Sequence, residues 1–366
     1  MAMAEKRLKI AFLSFYSGEV SRGVETYVHE LSNKLSQNGH SITVYQNGPR
    51  RKGSDYETVS IGLAIDWAQK GGGRGMLGIP FTQYYARLVG RFTRRALAKI
   101  NSSKVDVLIT TNGSLQVLFA RVWCWISGVK LVVAGQSGPG FDDRWNLLCF
   151  PNVFVGMTEY HCAWAKKANP LVKVKKIPNG VDLQRFSRRG KVTKFNLPKP
   201  VVFVAAALEK GKRLDLLIKA MGQTEKGSLL IAGGGDLEQK LKRLGKKYLG
   251  KRFQIKRFEY EQMPSVYRSV DLFSYPTVPW ESFGIVMLEA MASGLSVVAT
   301  NDPIRKEIVG DAGILVDPTD TDAYANALQK ALNMNWGSRP RKQAEKFSWD
   351  KTAQKYEKMF LELLNK

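Results

Sequence analysis

A chain of 366 residues is longer than one ordinary hydrophobic core, and at roughly 100–200 residues per domain it divides into about two. With 44% hydrophobic and 24% charged residues it has the composition of folded globular proteins, which excludes disordered, collagen-like and coiled-coil classes. The net charge of +24 implies an anionic partner, drawn from membrane lipid, phosphorylated substrates or nucleic acid.

Residues 9–15 form a short apolar run. A Gly-containing loop, a helical pattern over 25–38, a stop at Gly39 and an alternating strand over 41–45 complete a βαβ unit. The stretch 67–105 has no Asp or Glu but carries Lys70, Arg74, Arg87, Arg91, Arg94, Arg95, Lys99 and Lys104. Arg87, Arg91, Arg94 and Arg95 follow the i, i+4, i+7, i+8 spacing of one helix side, with Phe81, Tyr85, Leu88 and Phe92 on another. A basic amphipathic helix over 81–99 is predicted, suited to an anionic membrane surface, after a mobile Gly-rich segment at 71–78. The competing reading is a packed helix with a solvated basic face. No recognisable nucleic-acid module is present, so nucleic acid is not an expected partner.

The most apolar window, 115–134, is interrupted by Arg121, Gly128 and Lys130, whereas a spanning helix needs about 20 largely uncharged residues. It reads as a buried helix followed by a strand. Short apolar runs recur at 105–110, 130–134 and 153–157, alternating with helical or loop segments. Residues 178–200 have no sustained period and suit a linker. The rhythm then restarts at 201–206, 229–232, 254–256, 272–275, 296–299 and 313–316. Alternation of this kind predicts α/β architecture, with two doubly wound parallel sheets facing across a cleft and ligands at the strands' carboxyl ends. The three cysteines, Cys124, Cys149 and Cys162, lack C-x-x-C spacing, and no charged-then-apolar leader opens the chain, so a reducing cytoplasm is expected.

The segment 280–294 carries the most chemistry. A strand enters a Pro-containing loop, and a helix is predicted to open near Ser282 or Phe283 and stop at Gly294. Unpaired N–H groups and the positive end of a helix make residues 283–285 a ready site for diphosphate. Were both on the helix, Glu281 and Glu289 would stand ~12 Å apart along its axis, beyond the carboxylate pair of a typical glycosidase but suited to two ends of a long ligand. Taken singly, Glu281 could merely complement the helix dipole, Glu289 could face solvent, and Lys212 could be one more solvated lysine.

The E-x7-E pattern from Glu281 to Glu289, within ESFGIVMLEAMASG, resembles family 4 glycosyltransferases. Further landmarks follow in that family's order: Arg22-Gly23-Val24-Glu25, Ile177-Pro178-Asn179-Gly180-Val181-Asp182, Lys210-Gly211-Lys212-Arg213, Gly233-Gly234-Gly235, Arg305 to Gly313, and Phe347-Ser348-Trp349. The resemblance implies a GT-B fold: an acceptor-binding Rossmann-like domain over 1–180, a nucleotide-sugar-binding one over 181–346, and a terminal helix, 347–366, returning to the first. It implies a retaining hexosyltransferase using a UDP- or GDP-sugar, a hydroxyl acceptor on a lipid-linked molecule or glycan, and no cofactor. It assigns donor hydroxyls to Glu281, with the backbone of Phe283, Gly284 and Ile285 beside it, the ribose to Glu289, and the diphosphate to Lys212. Gly23, lacking a Cβ, would let the backbone approach the diphosphate.

Retention by same-face attack, with a donor phosphate oxygen taking the proton, requires neither a protein nucleophile nor a metal. No His/Cys cluster has ligand spacing, and Asp320 of Asp320-Thr321-Asp322 reads as a helix N-cap. Two positions depart from the family. Ala207 stands where many members have an Arg, so that Arg213 or a basic residue of the first domain substitutes or the phosphate is held less tightly, and Gln136 stands where a His is common. A glutamine there can bond a sugar hydroxyl but takes no proton. Of the histidines, His29 and His40 suggest packing or a turn, whereas His161 falls near the expected cleft. A non-catalytic basic binding protein on this scaffold, a nucleotide-sugar epimerase and a sugar phosphorylase are the rival readings. Charge and the 81–99 helix favour a lipid-linked acceptor and a peripheral position on the inner membrane face.

Overall fold

The computed structural model describes residues 7–69, 82–113 and 115–365. Phe81, Lys70, Arg74 and the Gly-rich 71–78 segment therefore lie outside the described residues. The chain divides into two compact units, one holding Met1–Pro178 with Trp349–Lys366 and the other Asn179–Ser348.

In the first unit, β1 (Lys9–Ser14), β2 (Ser41–Gln46), β3 (Glu57–Ser60), β4 (Val107–Thr110), β5 (Lys130–Ala134), β6 (Val153–Gly156) and β7 (Val174–Lys176) form one parallel sheet ordered β3-β2-β1-β4-β5-β6-β7. The central strands are apolar along their whole length because helices cover both faces. Between the strands run α1 (Gly23–Gln37), α2 (Tyr84–Lys99), α3 (Leu115–Ser127), α4 (Phe141–Leu148) and α5 (Glu159–Ala168). The edge strands β3 and β7 leave no apolar run to read, being short, half-exposed and polar.

The second unit pairs β8 (Val201–Ala205), β9 (Ser228–Ala232), β10 (Phe253–Lys256), β11 (Leu272–Tyr275), β12 (Val297–Thr300) and β13 (Gly313–Val316) in the order β10-β9-β8-β11-β12-β13, all parallel. Both sheets thus carry the 3-2-1-4-5-6 Rossmann order, with the topological switch between β1 and β4 and between β8 and β11. The helices are α6 (Leu214–Gly222), α7 (Glu238–Leu249), α8 (Met263–Tyr267), α9 (Ile285–Ala292), α10 (Pro303–Val309), α11 (Thr321–Asn333) and α12 (Arg339–Ala344). Asp320 caps α11, its side chain accepting from the Ala323 N–H at 2.9 Å. Gly233 and Gly235 have φ of +148° and +155°, and a Cβ on them would collide with the backbone of Ala206 and Leu208. Only glycine lets the turns after β8 and β9 lie this close.

The last helix, α13 (Trp349–Leu364), belongs to the first unit, where the Tyr356 and Tyr27 hydroxyls meet at 2.7 Å and Trp349 packs on the Tyr27 ring. The chain leaves this unit at Pro178 and returns at Trp349, so the second unit is an insertion in it.

One expectation needs correction. The window 115–134 is a helix and a strand, but α3 is not a buried helix. Gln116, Val117, Ala120 and Cys124 form its buried face, while Leu118 (36%), Val122 (45%), Trp125 (63%) and Ile126 (84%) are exposed. A helix apolar all round gives no sign in its sequence of which side is covered. Among the described residues no helix is long and apolar enough to cross a membrane.

Candidate active site

At the switch point of the second sheet, the loops leaving β8 and β11 are joined by their backbones, the Val278 N–H donating to the Gly211 carbonyl at 2.9 Å. The first loop tightens into a 3-10 turn, Lys210–Lys212, and passes through Arg213 in the left-handed region (φ +48°) before α6 begins. The second loop carries Glu281. These turns bring Lys212 Nζ to 2.6 Å from Glu281 Oε2, with both side chains partly buried. The two residues are 69 positions apart in sequence, and the sheet order unites them.

The helix after this loop starts later than its sequence suggests. Gly284 has φ +76°, which ends any helical path upstream, so α9 begins at Ile285 and Glu281 lies in the preceding loop. A Cβ on Gly284 would stand 2.9 Å from the Tyr275 ring. Phe283 is buried against Phe347, which leaves only its backbone for a ligand. The N–H groups opening α9 have no preceding helical carbonyls to accept them, and this helix start follows Glu281 by four residues. Glu289, one turn into α9, is 4% exposed rather than solvent-facing, and its Oε2 accepts from the Tyr267 hydroxyl at 2.8 Å. Burial, reinforced by this carboxylate, pushes the Tyr267 hydroxyl well above its ordinary pKa, so Tyr267 stays a proton donor to Glu289.

Arg305 is the residue that sequence reading left without a role. Its guanidinium is fully buried and spends all five N–H donors locally: Nε on Asp302 Oδ2 (2.7 Å), Nη1 on the carbonyls of Glu281 (2.7 Å) and Ser282 (2.8 Å), and Nη2 on those of Val278 and Pro279 (both 3.0 Å). Asp302 also caps α10 through Ile304 and Arg305 N–H. One buried ion pair therefore shapes the loop that presents Glu281. Asp302-Pro303 carries the N-cap and first-turn proline signal of a helix start, but no local pattern shows that the first-turn Arg305 points inward.

In the first unit, Gly23 is exposed at the start of α1, and an added Cβ would meet nothing within 4 Å. The chain's own packing does not demand glycine there. Gln136 follows β5 and is 8% exposed. Gly135 beside it lies against Phe154 and His161. His161 is almost wholly buried, with Nε2 3.2 Å from Asp143 Oδ2, so it supports this loop from below rather than facing an open site. His29 bonds Tyr56 and Asn33, and His40 accepts from the Leu8 N–H and pairs with Glu357. Burial pushes the Cys124 thiol up to about 12 and the Cys149 thiol up to about 11, leaving both inert at neutral pH. Among the described residues no cluster of His, Cys, Asp and Glu could hold a metal ion. Arg87, Arg91, Arg94 and Arg95 are all exposed along α2, whose opposite side buries Leu88 and Phe92.

Two Rossmann-ordered sheets, one with a lysine and a carboxylate paired at its switch point before a helix N-terminus, define an α/β protein suited to a phosphorylated nucleotide. Residues 21–185 match the profile described as Glycosyltransferase Family 4, and residues 187–349 that described as Glycosyl transferases group 1. The chain is 34% identical over 345 residues to phosphatidyl-myo-inositol mannosyltransferase of Mycobacterium tuberculosis, covering 89% of this chain and 86% of that protein. The enzyme of that name from Mycolicibacterium smegmatis is 27% identical over 374 residues, covering 93% and 90%. Of solved structures, sucrose-phosphate synthase from Thermosynechococcus elongatus aligns with a TM-score of 0.78 at 18% identity, covering 98% of this chain and all of that one. The chain belongs to the family 4 glycosyltransferases of GT-B fold and is a glycosyltransferase.

Proposed function

We propose that this chain is a retaining mannosyltransferase, moving mannose from a nucleotide diphosphate sugar to a hydroxyl of a lipid-linked acceptor at an anionic membrane surface. The carrying observation is the Lys212–Glu281 pair at the switch point, flanked by the opening of α9. The sugar and acceptor class rest on the two phosphatidyl-myo-inositol mannosyltransferases that align over about nine-tenths of the chain.

When the donor binds, its diphosphate competes with Glu281 for Lys212. The ammonium then neutralises charge growing on the leaving group, and the freed carboxylate accepts hydrogen bonds from sugar hydroxyls. Backbone N–H groups of Gly284 and Ile285 take a phosphate oxygen, with Phe283 contributing its backbone alone. Arg213, one residue after Lys212, adds positive charge in place of the arginine that Ala207 replaces. Glu289, oriented by Tyr267, holds the ribose. Gly23 leaves room for the diphosphate, and Gln136 binds a hydroxyl of the transferred sugar. Attack on the face the diphosphate leaves, with a donor phosphate oxygen accepting the acceptor's proton, retains configuration with no protein base, and Lys212 supplies the positive charge that a metal would otherwise bring. The retained Lys212, Glu281 and Glu289 favour turnover over a merely binding scaffold.

The exposed Arg87, Arg91, Arg94 and Arg95 support attraction to anionic lipid, each basic residue near such a surface contributing ~1 kcal/mol. The testing experiment measures melting temperature with GDP, UDP, GDP-mannose and UDP-glucose in EDTA, then transfer of labelled mannose to extracted lipid. A ligand at 100 times its Kd stabilises by ~2.7 kcal/mol. Stabilisation by GDP-mannose that Glu289→Ala abolishes, followed by label in the lipid fraction, is the expected result. Absence of any nucleotide effect would remove the reading.

A further inference from the structure

We infer that α3 inserts into the lipid surface, so that its exposed apolar stripe and the basic face of α2 act as one membrane-docking surface; this deepens the membrane reading of α2 and rests on it. Leu118, Val122, Trp125 and Ile126 follow the same i, i+4, i+7, i+8 spacing as the four arginines, and all four are exposed, Ile126 most of all at 84%. Contiguous apolar surface on one helix side marks a site of association, whereas scattered exposed leucines do not.

The two faces are neighbours. Gly90 of α2 lies against Leu115 and Phe119 of α3, where a Cβ would already be too close to both. Arg87 and Arg94 stand three residues before and four after Gly90, on the strip of α2 turned toward α3. On the other flank Arg121 lies over the Trp125 ring at 4.5 Å and reaches Asn152, beside a turn where Phe150 is exposed with φ +49°. A bulky residue in the left-handed region carries backbone strain, and Phe150 also exposes its ring, which adds to the apolar surface on this flank.

Charge selects the occupant. From residue 67 to residue 141 the sequence has ten basic residues and one acidic, Asp106, whose carboxylate is taken by the Lys9 backbone N–H. A second copy of this chain would bring like charge against like charge. Nucleic acid would meet the arginines but leave tryptophan and isoleucine unmatched. An anionic bilayer satisfies both, with phosphates at the arginines and Trp125 at the headgroup boundary.

The experiment is co-sedimentation of the full chain with vesicles of 70% phosphatidylcholine and 30% phosphatidylglycerol, and of phosphatidylcholine alone, in 0.1 M and 0.5 M NaCl. Trp125→Ser/Ile126→Ser is expected to weaken binding to the mixed vesicles at least tenfold and to abolish what survives in 0.5 M salt. Arg91→Gln/Arg95→Gln is expected to cost about fivefold per arginine in 0.1 M salt and much less in 0.5 M. Both pairs are exposed, so unchanged melting temperatures are expected to confirm folding. Apolar variants that bind like the parent at both salt concentrations would overturn the role of α3 and leave the α2 reading standing. No binding by the parent chain would overturn both. A parent dimer that Trp125→Ser/Ile126→Ser converts to monomer would make α3 a self-interface and overturn the inference. Nucleotide stabilisation, read separately, reports on the donor site whichever vesicle result is found.

Discussion

Lys212, Glu281 and Arg305 show how one site divides its work among charges. Lys212 and Glu281 neutralise each other at 2.6 Å with both side chains still partly exposed, whereas Arg305 is closed off with every donor spent. Lys212→Ala is expected to lower single-turnover transfer by about 10²–10³-fold, the usual cost of losing a charge aimed at the transition state. Lys212→Arg should recover part of that loss, and equal rates for parent and alanine variant would remove Lys212 from the reaction. Arg305→Met strands the Asp302 carboxylate and four loop carbonyls. Its unfolding free energy should fall by about 3–5 kcal/mol in denaturant titration. A smaller loss is expected for Asp302→Asn, which keeps an acceptor for the guanidinium. The family pattern singles out Glu281, Glu289 and Lys212 in sequence as donor-site candidates. Arg305 and Tyr267 are given no role there, because a burial decided by distant segments leaves no local mark.

At the scale of elements, the loop from β11 to α9 depends on a backbone conformation that only glycine adopts cheaply. The sequence places the helix start near Ser282 or Phe283, since a pattern of residue types does not register a single positive φ at Gly284. Gly284→Ala should destabilise by about 1–2 kcal/mol from the left-handed backbone alone, and further because its Cβ meets the Tyr275 ring. Gly128→Ala isolates the first effect, as Gly128 has φ +74° with nothing within 4 Å. Thermal melts of the two should differ, and only Gly284→Ala should weaken nucleotide binding. Equal behaviour would mean the Tyr275 contact relaxes without consequence. The helix α3 shows the reverse case, in which apolar residues on every side hid a solvent-exposed face until the packing of α2 and β5 identified the covered one.

Across the whole molecule the excess of positive charge opposes compaction as well as drawing anions. Raising NaCl from 10 to 300 mM should therefore raise the melting temperature, by roughly 2–4 °C per kcal/mol of repulsion relieved. A flat response would show that local attractions such as Lys175–Glu362 and Lys34–Asp350, weakened by the same salt, balance the repulsion relieved.

Local sequence was enough for the alternation of strand and helix, for the two parallel sheets, and for naming Lys212, Glu281 and Glu289 as the donor-site candidates. These depend on local periodicity and on short patterns that keep their order along the chain. Tertiary structure alone decided that Lys212 meets Glu281, that Arg305 is the buried clamp of the Glu281 loop, and that α3 shows an apolar face beside a basic one. Each depends on which segments the sheet order makes neighbours across tens of residues, and local sequence carries no term for that.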